Sequence, residues 1–554
     1  MTQHVAAKGT PMTKSSDPVV IVGGGPVGIG TALELARHGV RTVILEARNR
    51  GEYNLARTNL TNMRSMEHFR RWGIADDLRS NDPVEQEFAR SVTYVTALNG
   101  HVVLDLTQML AFDFRVPFSS DRPVWAPNDA IEKTFQDAAV GNSLIDIRFG
   151  CTMTGFEQYA DTVRVNYEDS SGAAATAFAD YLIAADGSRS TIRKALGVRM
   201  EGIPDLAQFS IWNIHAPELK DQIDVGKSSF VLFVNEHRDY AMLIPQGNDH
   251  YEFGFAVEDA DGDSWPLAQQ ALYRNVGFEF GAAPVSGGAV TIRSLLAPNF
   301  RYGRVLLAGD AAHLISPMGG FGMNLGIGDA ADLGWKLAGV LQGWGGPALL
   351  DSYAEERRPV IAWIQDACLV NTERSPASFA RDNISASTPE GVALREAIGD
   401  EIRLVKQAEF QSFGAQLGSH YHGSSIVVSD GTEPPALTQG IYEPSATPGC
   451  RAPHVWIDDQ TSLYDRFGVG FTLLVTGDQP IDTSEFETAA KDRGMPLDVL
   501  AVSTVVIRET YGTALVLIRP DQHIAWRGDC LPADVGAVLD AVRGAGALPT
   551  KGSV

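Results

Sequence analysis

PVVIVGGGPVGIGTALELARHGVRTVILEARNR, residues 18–50, carries several structural signals in one register. Val19 to Val22 form a run of β-branched and apolar residues typical of a strand buried on both faces. Gly23-x-Gly25-x-x-Gly28 follows and opens a helix bearing Ile29, Leu33, Leu35 and Ala36; a second strand, TVILE, ends at Glu46. In such a strand–helix–strand unit the first glycine makes the tight turn. The second lets backbone approach a pyrophosphate, and the third lets helix and strand pack closely. The helix N-terminus then faces the phosphates, and Glu46 is placed to accept both ribose hydroxyls. An acid there disfavours a 2′-phosphate, so FAD or NAD is expected at this loop rather than NADP.

Moving outward, a chain of 554 residues exceeds one core, and two to four domains are expected. Its composition, 44% hydrophobic and 20% charged, is that of a soluble globular protein. A net charge of −23 argues against nucleic acid or an anionic membrane as partner. Cys151, Cys368, Cys450 and Cys530 lie far apart with no C-x-x-C and no metal-ligand spacing, which predicts a reduced compartment and no metal site. Residues 1–17 lack the apolar core of a signal peptide and no apolar run approaches membrane length. A disordered tail and a cytoplasmic location are expected.

The middle of the chain adds RTNLTNMRSMEHFRRWG, where Leu60, Met63, Met66, Phe69 and Trp72 recur at helical spacing and Gly73 supplies a stop. Arg57 precedes this helix and is a candidate phosphate or flavin contact. Asn128, in APNDAIEKTF, reads as an N-cap. Tyr181 to Val198, YLIAADGSRSTIRKALGV, reads as a buried strand, an Asp186-Gly187 turn and a helix, with Asp186 at a strand's carboxyl end. From Phe209 to Arg293 alternating aromatic strands predict an antiparallel sheet forming one wall of a pocket. Trp212, Phe230, Met242 and Phe253 are the candidate substrate contacts on it, half of such residues being expected on each face.

A second glycine-rich segment, GRVLLAGDAAHLISPMGGFGMNLGIGDAADLGWKL, ends a strand at Gly309-Asp310 and passes Pro317, Gly319 and Gly320 into a helix beginning near Gly322, Met323 and Asn324. That helix start would stabilise negative charge. Asp310 would repel a pyrophosphate, so it suits polyol hydroxyls. One extended ligand touched twice satisfies both loops: an adenine end at Gly23–Gly28, a ribityl chain beside Asp310, and an electron-accepting ring at Gly319–Asn324. FAD fits this description and NAD, lacking a ribityl chain, does not.

These three motifs, in this order and spacing, resemble the single-component, group A flavoprotein aromatic hydroxylases over roughly Val19 to Val542. The long forms, with a C-terminal thioredoxin-like domain, are the most similar. The resemblance implies an α/β fold: a Rossmann-like FAD-binding domain (18–200 and 296–375, with substrate-domain segments near 85–125), an inserted antiparallel-sheet substrate domain (201–295), a helical connector (376–445) and a thioredoxin-like domain (446–547). It implies that Gly23, Gly25, Gly28 and Glu46 hold the AMP half of FAD and Arg57 its pyrophosphate region. Asp186 would serve FAD and passing NADPH or NADH, Asp310 the ribityl chain, and Gly322, Met323 and Asn324, reached through Pro317, the pyrimidine edge of the ring. Asn128 stands where the family usually has Gln.

The activity so implied is NAD(P)H-consuming hydroxylation of a small phenolic or other electron-rich aromatic substrate by O2, through a C4a-hydroperoxide of the flavin. The alternative is flavin-dependent oxidation or oxygen insertion on a polycyclic natural product. A general base is expected, with His215, Tyr240 and Glu52 as candidates, the last because it stands five residues before Arg57, where phenol hydroxylases place an acid. The C-terminal unit, without C-x-x-C, is expected to be structural or associated with a homodimer.

Overall fold

The computed structural model describes residues 19–53, 60–85, 87–107, 112, 114–258, 263–477, 479–502 and 504–546. The strand Val19–Val22 sits at the centre of a six-stranded sheet, between Tyr181–Ala184 and Thr42–Glu46. Val305–Leu307 and Ile145–Phe149 extend it in parallel, and only the edge strand Arg301–Tyr302 runs antiparallel. Every residue of Val19–Val22 and Thr42–Glu46 is buried. Continuous apolar runs are what a parallel sheet covered on both faces requires.

The helices Pro26–Arg37 and Gly322–Leu341 pack closely because the second carries glycine where the first passes. A side chain at Gly334 would meet Glu34 Cγ at 2.5 Å, and one at Gly326 would meet Val27 Cγ2 at 2.5 Å. The two glycine-rich segments, nearly three hundred residues apart, thereby become neighbours. The helix Met63–Trp72 begins after Asn62, whose side chain accepts from Ser65 N, and ends on Gly73 at φ 78°. Leu60 falls outside it, in a two-residue strand paired with Val124–Trp125.

The aromatic strands form an eight-stranded sheet, and here the antiparallel expectation needs correction. Ala89–Val95 and Val102–Asp105 join it, and Ala89–Val95 pairs parallel with Ser228–Phe233. The remainder is antiparallel, with Glu201–His215 paired to both His250–Ala256 and Ala283–Leu296. Both faces are covered. One lies against the helix Trp265–Val276 in a core that includes Ala268, Leu272 and Phe253. The other faces a core containing Phe209, Tyr240 and Ile244, closed by Ile398, Ile402 and Phe410 of the helix Pro389–Phe410.

A three-stranded sheet over 152–179, absent from the sequence expectations, flanks the nucleotide-type sheet. The C-terminal third holds a mixed four-stranded sheet in which Phe471–Val475 pairs parallel with Leu497–Ala501 and antiparallel with Leu515–Ile518. Buried charge fastens it to the rest. Arg519, fully buried, donates to Glu356 Oε1 at 2.6 Å and Oε2 at 2.8 Å, while Lys336 reaches the same carboxylate at 2.6 Å. Among the described residues no helix is long and apolar enough to cross a membrane.

Candidate active site

The Gly23–Gly28 loop has the geometry its spacing predicts. Gly23 adopts φ +108°, and a Cβ there would lie 2.2 Å from Ala185 O. A Cβ at Gly28 would lie 2.0 Å from Gly23 O, so only glycine closes this turn, whereas at Gly25 it would meet nothing within 4 Å. The helix that follows has proline in its first turn and no side-chain cap, leaving its early N–H groups to a ligand. Glu46 is fixed from both sides: Gly24 N donates to Oε2 at 2.6 Å, and Arg48 donates to Oε1 from its backbone N and Nε, each at 2.9 Å. Arg48 is held in turn by Glu132 at 2.7 Å.

Asp186 caps the helix Thr191–Ala195 with one oxygen. Its Oδ2 accepts from Thr191 N at 2.8 Å and from Ile192 N at 3.2 Å. Its Oδ1 is buried and has no partner among the described residues, which leaves an acceptor at the strand's carboxyl end. Arg193 stands between Asp186 and Asp310. Burial lowers its pKa while both carboxylates oppose that, and it donates to Ala311 O at 3.1 Å and Ser188 O at 2.9 Å. The second and third motifs are thus tied together by one guanidinium.

Asp310 lies in the short helical turn Gly309–Ala311. The residue that shapes this turn is one the sequence analysis missed, Asp329. Its Oδ2 accepts from Gly309 N at 3.0 Å and pairs with His313 Nε2 at 2.7 Å, while its Oδ1 accepts from Arg357 Nε at 2.9 Å. Burial disfavours its ionised form, but the interactions with His313 and Arg357 overcome this and hold the carboxyl below its usual range. A carboxylate on the buried face of an apolar helix was the available signal; its partners come from other segments.

Pro317 is exposed and accepts from Gly320 N at 2.9 Å, turning the chain into the helix Gly322–Leu341. That helix also lacks a side-chain cap and has no acid in its first turn, and a Cβ at Gly322 would meet nothing within 4 Å. Met323 is half-buried. The Asn324 side chain is fully committed elsewhere: Oδ1 accepts from Asn62 N at 2.9 Å and Ser65 Oγ at 2.7 Å, and Nδ2 donates to Leu60 O and Gly320 O. Only its backbone remains for a ligand. Asn128 is buried as the first residue of the helix Asn128–Val140; the cap position belongs to Pro127, which corrects the N-cap expectation. Arg57 lies outside the described residues.

The candidate bases are not gathered at one point. Tyr240 is the nearest to the Pro317–Asn324 loop, its hydroxyl 3.7 Å from Met318 Sδ and 3.8 Å from Met242 Sδ. Burial raises its phenol far above the usual range, so it stays protonated and donates rather than accepts a proton. His215 is exposed at the end of its strand, its ring 5.0 Å from His250. Six residues separate it from Phe209, which packs on Tyr240, a span of roughly 20 Å. Glu52 is exposed and accepts from Asn49 N and Nδ2, each at 2.9 Å.

The four substrate candidates divide by face. Phe230 and Met242 share the face of Tyr240, Phe230 lying 5.6 Å from the Trp125 ring. Trp212 and Phe253 are on the opposite face: Trp212 packs 5.5 Å from Trp265, and Phe253 stacks on Phe255. These two are corrections. A strand buried on both sides shows no polarity contrast from which the pocket face could be read.

The arrangement fits a ligand with phosphates, a polyol and a flat ring: an open glycine loop at an uncapped helix, an Asp186 oxygen without a partner among the described residues, and a second uncapped helix whose entry loop meets the aromatic sheet at Met318. Comparison with known proteins agrees. Residues 16–367 match the family model described as FAD binding domain, and 445–546 match that of the aromatic-ring hydroxylase C-terminal region. The FAD-dependent monooxygenase apdD of Emericella nidulans is 31% identical over 93% of this chain and 88% of its own. RebC with bound 7-carboxy-K252c superposes with a TM-score of 0.88 at 34% identity, covering 96% of this chain and all of RebC. Aklavinone-11 hydroxylase, in a ternary complex with FAD and aklavinone, superposes at 0.81 with 25% identity, covering 96% of this chain and all of its own.

Proposed function

Because the chain belongs to the group A flavoprotein hydroxylases, with an FAD-binding domain and an aromatic-ring hydroxylase C-terminal region, we propose that it is an NAD(P)H-consuming FAD monooxygenase hydroxylating a planar, electron-rich polycyclic arene. The observation that carries this reading is the meeting of the Pro317–Asn324 loop with the aromatic face of the eight-stranded sheet, through Met318, Tyr240 and Met242. FAD, when bound, supplies electron acceptance from NAD(P)H and activation of O2.

The chain's own residues bind, orient and dry. Gly25 and the N–H groups of the Pro26–Arg37 helix would take the pyrophosphate, and Glu46, preset by Gly24 and Arg48, the ribose hydroxyls. Asp186 Oδ1 and Asp310 would accept from the polyol. The N-terminus of Gly322–Leu341 would stabilise negative charge on the ring edge through backbone dipoles. The apolar wall of Phe209, Phe230, Met242 and Ile244 keeps water from the reacting atoms. Tyr240 would hold a hydrogen bond to substrate oxygen as donor.

The test is NADH or NADPH oxidation by the FAD-loaded protein with polycyclic phenols. Acceleration by such a ring with formation of hydroxylated product supports the reading. Cleaved or lactonised product would move it to oxidation or oxygen insertion, and indifference to every arene would reject it.

A further inference from the structure

The sheet face that meets the Pro317–Asn324 loop is largely apolar, and a carboxyl and an amide stand side by side on it. Asn213 and Glu252 stand directly opposite each other on neighbouring strands, and Glu252 is also paired with Ile244. Directly paired residues point to the same side. Two positions further along, the partners Ile211, Gly254 and Met242 continue that side, so Asn213 and Glu252 share the face of Met242 and Tyr240.

Both side chains are buried, Asn213 at 3% exposure and Glu252 at 4%, yet among the described residues Asn213 Nδ2 and Glu252 Oε2 have no hydrogen-bond partner, not even each other. A buried polar atom without a hydrogen bond is costly, so two adjacent ones point to a polar ligand group. Among the described residues no cation offsets the acid; burial pushes its carboxyl up to about 8, leaving it able to donate as well as accept.

Two further buried polar atoms in the same core have no hydrogen-bond partner among the described residues: Tyr94 Oη on this face and Trp125 Nε1 on the strand packed over it. Tyr94 is aligned through Leu232 and Met242 with Gly254, three strands away. With strands about 4.8 Å apart and a two-residue offset, Tyr94 and Glu252 are roughly 15 Å apart between backbones. A single ring cannot bridge that distance, whereas a fused planar system with hydrogen bonds at both edges can.

We propose that Asn213 and Glu252 are the polar anchor of the substrate, exchanging hydrogen bonds with a hydroxyl–carbonyl edge of a planar polycyclic arene. This rests on the reading that the Tyr240 face holds the substrate. The test titrates FAD-loaded protein with two probes of the same ring count, a peri-hydroxyanthraquinone, which carries that edge, and anthracene, which carries no oxygen, following flavin absorbance and calorimetric heat.

Glu252→Leu is expected to weaken the hydroxyanthraquinone about tenfold or more while leaving anthracene within about twofold. Glu252→Gln, which keeps a donor and an acceptor, is expected to stay within about threefold of wild type. Asn213→Leu repeats the test at the other member of the pair, with FAD content and melting temperature reporting on folding. Equal weakening of both probes, or no weakening of either, overturns the anchor while leaving the substrate face intact. Wild-type protein that binds neither probe overturns the face and the anchor together.

Discussion

Gly28 is the residue on which the first loop turns. Because a Cβ would lie 2.0 Å from Gly23 O, Gly28→Ala must displace backbone. Purified protein carrying it should retain at most about a tenth of the wild-type FAD, with far-ultraviolet circular dichroism near wild type; full FAD content would contradict the role. Glu252 makes a prediction of opposite character. Its folded pKa, raised to about 8, means the native state holds a proton the unfolded chain has released. Its contribution to stability is therefore fully present below about pH 4.5 and lost as pH rises through about 8. Glu252→Gln should melt higher than wild type at about pH 9 and match it at about pH 4. At this scale the glycine motif was legible because its geometry is local. The face of Trp212 and Phe253 was not, since both sides of their strands are packed with apolar residues.

Among the elements, the helix Gly322–Leu341 does two jobs. Its uncapped start follows the loop that meets the aromatic sheet at Met318, and about two turns later Asp329 holds the Gly309–Ala311 turn, His313 and Arg357. Asp329→Ala would strand a buried guanidinium, and a loss of about 3–5 kcal/mol is expected in denaturant unfolding together with weaker FAD binding. Unchanged stability would show that the turn is held by backbone alone. The helix itself was visible in the sequence from its glycine-rich entry and leucine spacing. Asp329 was not, because the meaning of a buried carboxylate lies in partners contributed by other segments. The parallel pairing of Ala89–Val95 with Ser228–Phe233 escaped for the same reason: strands more than a hundred residues apart leave no local trace of their register.

For the whole molecule, buried charge joins the C-terminal sheet to the rest, and Arg519→Leu should destabilise by about 3–5 kcal/mol because Glu356, Asp332 and Asp521 lose a shared partner. Acid should act in two stages. His454 and His523, kept neutral to about 4 chiefly by burial, erode stability as pH falls from about 6.5 to 4. Glu34 and Glu67, held near 2 against the cost of burial by arginine neighbours, add their loss between about 4.5 and 2. Melting temperature against pH should show both windows, and a flat profile down to about 4 would contradict the first. In the proposed reaction the two glycine loops serve one FAD that oxygenates an arene against the aromatic face. Turnover of FAD-loaded protein with NAD(P)H, a polycyclic phenol and isotopically labelled O2 tests it most directly. Product heavier by one labelled oxygen atom in a new ring hydroxyl is expected; labelled hydrogen peroxide as the sole oxygen product, with every arene recovered unchanged, would contradict this reaction.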